Sequence, residues 1–249
     1  MTPEQEQAVS RRLDGLTLEQ LGRALSHLNR FGGFGDPPCS VAWHSLSVYS
    51  LVLKRGGSKG VLLFALLHDA HECLCGDVLW SFKDVNLRQV EEVLRERLFK
   101  RLGVYGLMPD DKWGIAGEDA YSMSMTDLCD KDCGDAESYV CKINPAYDFH
   151  LNADAWVCVK SYATFDAETV ARIWTWTVER LRKDLFREVG DGSHSTDNGC
   201  ACGSGVLLRS AQCANRSFLS RLWASCVRLI FAGRRHIHGY SLPGGSQRP

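Results

Sequence analysis

The segment "VLLFALLHDAHECLCGDV" (Val61 to Val78) limits the possible folds more than any other part of the chain. Seven consecutive apolar residues, Val61 to Leu67, end in adjacent ionisable groups, His68 and Asp69. An apolar run of this kind belongs in a core, and buried ionisable groups need a partner or a metal. The run therefore predicts an internal helix whose end faces a polar site made with other elements.

The surrounding sequence is helical in period. Thr17 and Gln20 form a capping box, followed by Leu18, Leu21, Leu25 and Leu28, and Gly32-Gly33 stops that helix. Helices are expected from Ser40 to about Lys54 and from about Lys59 to Cys75, ended by Gly56-Gly57 and Gly76. Asn86 and Gln89 suggest another start, with Gly103 past its end. Further helices are expected around 117–142 and over about 167–188, the latter capped by Asp166. Alternating strand patterns are nearly absent. The fold class is all-α, with residues 1–189 as one domain.

Residues 190–249 differ. They begin with the linker-like "GDGSHSTDNGCACGSG" and carry seven Arg, no Lys and two Asp, a balance of +5 against −6 for the rest. They are expected to form a flexible Gly/Ser/Arg-rich tail, in which Phe218 to Gly233 has the pattern of a basic amphipathic helix. A net charge of −1 gives no reason to expect stable nucleic-acid binding. The polar N-terminus lacks a signal-peptide pattern, and no apolar run approaches the roughly 18–20 residues of a membrane span. Eleven scattered Cys then read as reduced thiols in a cytoplasm, and "CAC" at Cys200–Cys202 lacks zinc-finger spacing.

His68 and Asp69 lie about 100° apart on a helix and can both lean toward one cation. His44, in "SVAWHSLSVYSLV", and Asp127, in "SMSMTDLCD", are polar positions at otherwise apolar turns. His44, His68, Asp69 and Asp127, on three predicted helices, form the candidate metal set. Imidazole and carboxylate ligands suit Mn²⁺, Co²⁺, Fe²⁺ or Zn²⁺. His71, three positions after His68, is expected on an exposed face.

The order His44, His68-Asp69, Asp127 resembles the HD-domain metal-dependent phosphohydrolases. It is most similar to the YfbR-like 5′-deoxynucleotidases and the phage dATP triphosphohydrolases. In "HDAHECLCGDV", Glu72, Gly76 and Asp77 match that branch's motif, Lys83 its later Lys, and Arg30-Phe31 its Arg-aromatic pair. "SVAWHS" matches the surroundings of its first His, and Glu137 its Glu ten residues past the last Asp. The likeness covers roughly residues 17–185. The chain departs from the branch in having "VLWSFK" after Gly-Asp in place of prolines, and in Gly134 within a predicted helix.

The resemblance implies hydrolysis of a deoxynucleotide phosphoester by a metal-activated water, in a homo-oligomer. The substrate is a monophosphate, yielding nucleoside and phosphate, or a triphosphate, yielding nucleoside and triphosphate. Glu72 would orient or deprotonate the water or pass a proton to the leaving oxygen. Asp77 would hold the water or the sugar hydroxyl. Arg30 and Lys83 would bind phosphate, Phe31 would stack on sugar or base, and Trp80 would wall the base pocket. Two other classes remain open: an HD hydrolase of cyclic dinucleotides or alarmones, and a non-catalytic nucleotide-binding protein. The first lacks its Gly-Tyr-Pro or Glu-Asp motif here.

Overall fold

The computed structural model describes residues 2–107, 120–140 and 153–191, without the side chains of residues 80, 120–124 and 189–191. The described residues fall within one compact unit, Met1–Thr196, and the expected tail lies outside them except for Gly190 and Asp191, which belong to α9. Nine α-helices are described: α1 (Pro3–Asp14), α2 (Leu18–His27), α3 (Val41–Lys54), α4 (Lys59–Leu67), α5 (Glu72–Cys75), α6 (Val85–Leu102), α7 (Ala120–Val140), α8 (Ala153–Tyr162) and α9 (Ala167–Asp191). No strand is present among the described residues, so the all-α expectation holds. Nor is any described helix long and apolar enough to cross a membrane.

Most helix ends follow from local chemistry. Thr17 and Gln20 form the expected capping box on α2, and Asp166 caps α9 through the Thr169 N–H at 2.7 Å. Helix α6 starts earlier than expected. Asp84, not Asn86, accepts the Leu87 N–H at 2.7 Å, because the preceding 3₁₀ turn (Trp80–Phe82) delivers the chain at that point. Thr2 and Gln5 make a second capping box that turns the polar N-terminus into α1.

Helix α4 is the centre of the bundle. Gly60 to Leu67 are all buried, as an apolar run with no polar face requires. It packs on α3, α7 and α9, and α2 lies along α9. Trp43 and Trp174 are buried, and each indole N–H finds a backbone carbonyl, Val159 at 2.9 Å and Leu66 at 3.1 Å. Gly22 lets α2 approach α9 closely, since a Cβ there would sit 2.4 Å from the Thr175 Oγ1 and 3.2 Å from the Ala171 carbonyl.

The single helix expected over residues 59–75 is broken. Helix α4 ends at Leu67, and the amides of Ala70, Glu72, Cys73 and Leu74 bond three residues back, to Leu67, Asp69, Ala70 and His71. This is 3₁₀ winding, in which residues three apart eclipse each other. His71 therefore follows His68 on the same side of the chain, its Nδ1 3.1 Å from the His68 carbonyl, and Glu72 follows Asp69. His71 is 1% exposed, which corrects the expectation of an exposed face. Residues three apart share a face even on a regular helix, and here α6, which carries Glu91, packs beside His71.

Candidate metal centre

The break at the end of α4 leaves carbonyls without helical partners. The Leu66 carbonyl takes the Trp174 indole, and the Ala65 carbonyl lies 2.8 Å from His68 Nδ1. The second contact identifies His68 Nδ1 as the protonated ring nitrogen. In neutral His68 the lone pair is then on Nε2. His44, on α3, is arranged the same way, with Nδ1 2.8 Å from Glu137 Oε1 on α7. The two Nε2 atoms face each other at 3.3 Å.

Two carboxylates point into the same space. Asp130 Oδ1 lies 2.7 Å from His44 Nε2 and 3.3 Å from His68 Nε2. Asp69 Oδ2 lies 3.1 Å from His68 Nε2 and 3.5 Å from His44 Nε2. One ligand atom from each of His44, His68, Asp69 and Asp130 lies within 4.8 Å of the others. With neutral imidazoles, all four are electron-pair donors and none supplies a hydrogen. Such a convergence requires protons or a cation at its centre.

Charge points the same way. Arg30 pairs with Asp69 through Nη1 at 3.0 Å and with Glu137 through Nε at 3.0 Å. One guanidinium and three carboxylates (Asp69, Asp130 and Glu137) sum to −2 in a largely buried volume, which one divalent cation neutralises. In the cation-free protein the imidazoles take that part. Burial and Arg30 push His44 down, but Glu137 and Asp130 outweigh them and raise it to about 9. Burial likewise opposes ionisation of the three acids, yet the imidazoles, joined by Arg30 at Asp69 and Glu137, hold all three below the usual carboxylate range. The four residues could hold a metal ion, and Asp130, with its side chain 42% exposed, is the most accessible of them.

Asp130 replaces Asp127 in the expected set. Asp127 is exposed, one turn earlier on α7, and is absent from the cluster. Burial and the nearby Asp130 raise its pKa, as expected of a carboxylate beside the site and not in it. In "TDLCDKD" several acids compete, and only the facing of α7 against α3 and α4 selects among them. Asp130 precedes Glu137 by seven residues, where Asp127 would precede it by ten. Two helical turns then put Asp130 and Glu137 on one face of α7, the former at His44 Nε2 and the latter at His44 Nδ1. No protein-family model, curated protein or solved structure matches the chain.

The remaining candidates lie around this cluster. Glu72 is 2% exposed, its Oε2 is buried without a hydrogen-bond partner, and burial, then Asp69, raises its pKa to about 9. Asp77 accepts the Phe31 N–H at 2.8 Å, which holds Phe31 in a left-handed conformation (φ 55°, ψ 31°). Gly76, at φ 86° and ψ 162°, makes the sharp turn before it. The Asn29–Ser40 bridge pinches the base of the Arg30–Phe31 loop, and Ser40 also caps α3. That loop and His44 are thus tied to one anchor. Arg30 lies 5.4 Å from the centre of the half-buried Phe31 ring. Lys83 is paired with Glu91 at 2.8 Å. The side chain of Trp80 lies outside the described residues.

Proposed function

We propose that the chain is a metal-dependent phosphohydrolase of the HD type acting on deoxynucleotides. One observation carries the reading: two imidazole lone pairs and two carboxylates converge within 4.8 Å on a volume of charge −2. A divalent cation held by His44, His68, Asp69 and Asp130 would polarise a phosphoryl oxygen and acidify a water. The chain's own groups supply the rest. Glu72, buried and eclipsing Asp69, carries the proton between the attacking water and the leaving oxygen. Arg30 spends Nη1 and Nε on Asp69 and Glu137, leaving Nη2 for a phosphate oxygen. Lys83 can exchange Glu91 for phosphate. Phe31, held by Asp77, offers a ring to sugar or base at the mouth.

The test is a release assay on the full chain loaded with Mn²⁺ or Co²⁺, over deoxynucleoside mono-, di- and triphosphates. Phosphate or triphosphate should appear from at least one of them. Glu72→Gln should retain the metal and lose roughly 10²–10⁴-fold in turnover. A metal-loaded protein that releases nothing from the whole panel overturns the reading.

A further inference from the structure

A second convergence of ligand types lies behind the first. His71, Cys75 and Glu91 bring one potential ligand atom each within 4.8 Å of one another. His71 and Cys75 belong to the 3₁₀ turn and α5, and Glu91 to α6. Metal–ligand bonds of about 2.0–2.3 Å allow one ion to reach three atoms so placed with little movement.

The orientation of His71 supplies an independent indication. Its Nδ1 lies 3.1 Å from the His68 carbonyl, which identifies it as the N–H donor. Its Nε2 is buried without a hydrogen-bond partner. A buried imidazole lone pair without a donor is costly, and the side chain is 1% exposed. The nearest groups of matching chemistry are a thiol and a carboxylate. Imidazole, thiolate and carboxylate together are zinc ligands, and the sulfur disfavours Mg²⁺, Ca²⁺ and Mn²⁺.

We propose that His71, Cys75 and Glu91 form a second metal site, selective for Zn²⁺ or Co²⁺, that ties α5 to α6. Binding breaks the Cys75 S–H bond, releases its proton to solvent and forms a sulfur–metal bond. The ion's two positive charges are balanced by the thiolate and Glu91, and water completes the coordination. Without the ion, burial first and Glu91 next push the Cys75 thiol up to about 11, so it holds its proton until metal displaces it. Lys83 then sits 2.8 Å from Glu91 Oε1, so the ammonium and the metal compete for one carboxylate. Cys75 alone of the three also lines a cavity of about 310 Å³, together with Gln5, Arg12, Val90 and Leu94. The site shares no ligand with the first, so it stands or falls apart from the phosphohydrolase reading.

The experiment titrates the full chain with Co²⁺ and follows the thiolate-to-cobalt charge-transfer absorption, with bound metal counted by equilibrium dialysis. The unmutated protein should show the absorption, and Cys75→Ser should lose it together with one equivalent of metal. Asp130→Asn should lose a different equivalent and keep the absorption. Cys133→Ser, which removes the thiol nearest His44, should also keep it. In the unmutated protein, Zn²⁺ should slow alkylation of Cys75, read by peptide mass spectrometry, so the result does not depend on any variant folding. Absorption that survives Cys75→Ser, or alkylation of Cys75 at the same rate with and without Zn²⁺, overturns the proposal.

Discussion

Asp130 and Asp127 differ by three positions on α7, yet the structure gives them opposite surroundings. Asp130 lies 2.7 Å from one imidazole and 3.3 Å from another, whereas Asp127 is exposed. Asp130→Asn exchanges an anionic ligand for a neutral amide and should abolish stoichiometric Mn²⁺ binding, measured by calorimetry. Glu137→Gln keeps all four ligands but removes the carboxylate that holds His44 by Nδ1 and pairs with Arg30, and should cost roughly 10–100-fold in affinity, as is usual for a partner that orients a ligand. Asp127→Asn should change affinity by less than threefold (~0.6 kcal/mol or less), as for an exposed charge outside the cluster. Equal losses at 127 and 130 would show the cluster to be wrongly drawn. His44 is legible from sequence because it interrupts an apolar helix, and His68 and Asp69 because they end an apolar run. Asp130 is not, because it sits among acids in a stretch whose buried face depends on tertiary packing.

At the scale of elements, two mid-helix glycines should respond to alanine with opposite sign. In α7, nothing lies within 4 Å of a Cβ at Gly134, so Gly134→Ala gains helix propensity without a clash and should stabilise by about 0.5–1 kcal/mol. In α2, a Cβ at Gly22 meets Thr175 and the α9 backbone, so Gly22→Ala must push the helices apart and should destabilise by about 1–3 kcal/mol. Urea unfolding of both variants measures the pair, and two changes of the same sign would sink the account of the α2–α9 contact. The cost of Gly134 was readable from sequence, but the purpose of Gly22 was not, since only the approach of a helix about 150 residues distant reveals it. The same limit explains the broken helix at 67–72. Periodicity and the stop at Gly76 located the element, but the break, where Trp174 takes the Leu66 carbonyl, and the burial of His71 involve partners far away in the chain.

For the whole molecule, the raised pKa of His44 makes stability depend on pH, and a bound cation should weaken that dependence. In the cation-free protein, His44 faces Arg30, His68, Asp69, Asp130, Glu137 and Cys133, and its pKa is raised from 6.5 to about 9. A group whose folded pKa is raised contributes stability that is complete below its unfolded value and is lost as pH rises through the folded value. Cation-free protein should therefore weaken between pH 6.5 and about 9, by on the order of 3 kcal/mol. Bound metal should flatten this slope. The cation takes the place of the imidazole protons, so its affinity rises with pH, and a free concentration 100 times Kd adds about 2.7 kcal/mol. Mn²⁺ is the suitable probe, because a hard ion avoids the thiolate of Cys75. Thermal unfolding of the full chain, in chelator and in Mn²⁺, should give nearly coincident midpoints at pH 6. By pH 8.5 they should separate by several degrees, at roughly 2–4 °C per kcal/mol for a chain of this size. Midpoints that run parallel across this range would mean that protons and metal do not share the four ligands, and the convergence of His44, His68, Asp69 and Asp130 would then be a network of ion pairs with no place for a cation.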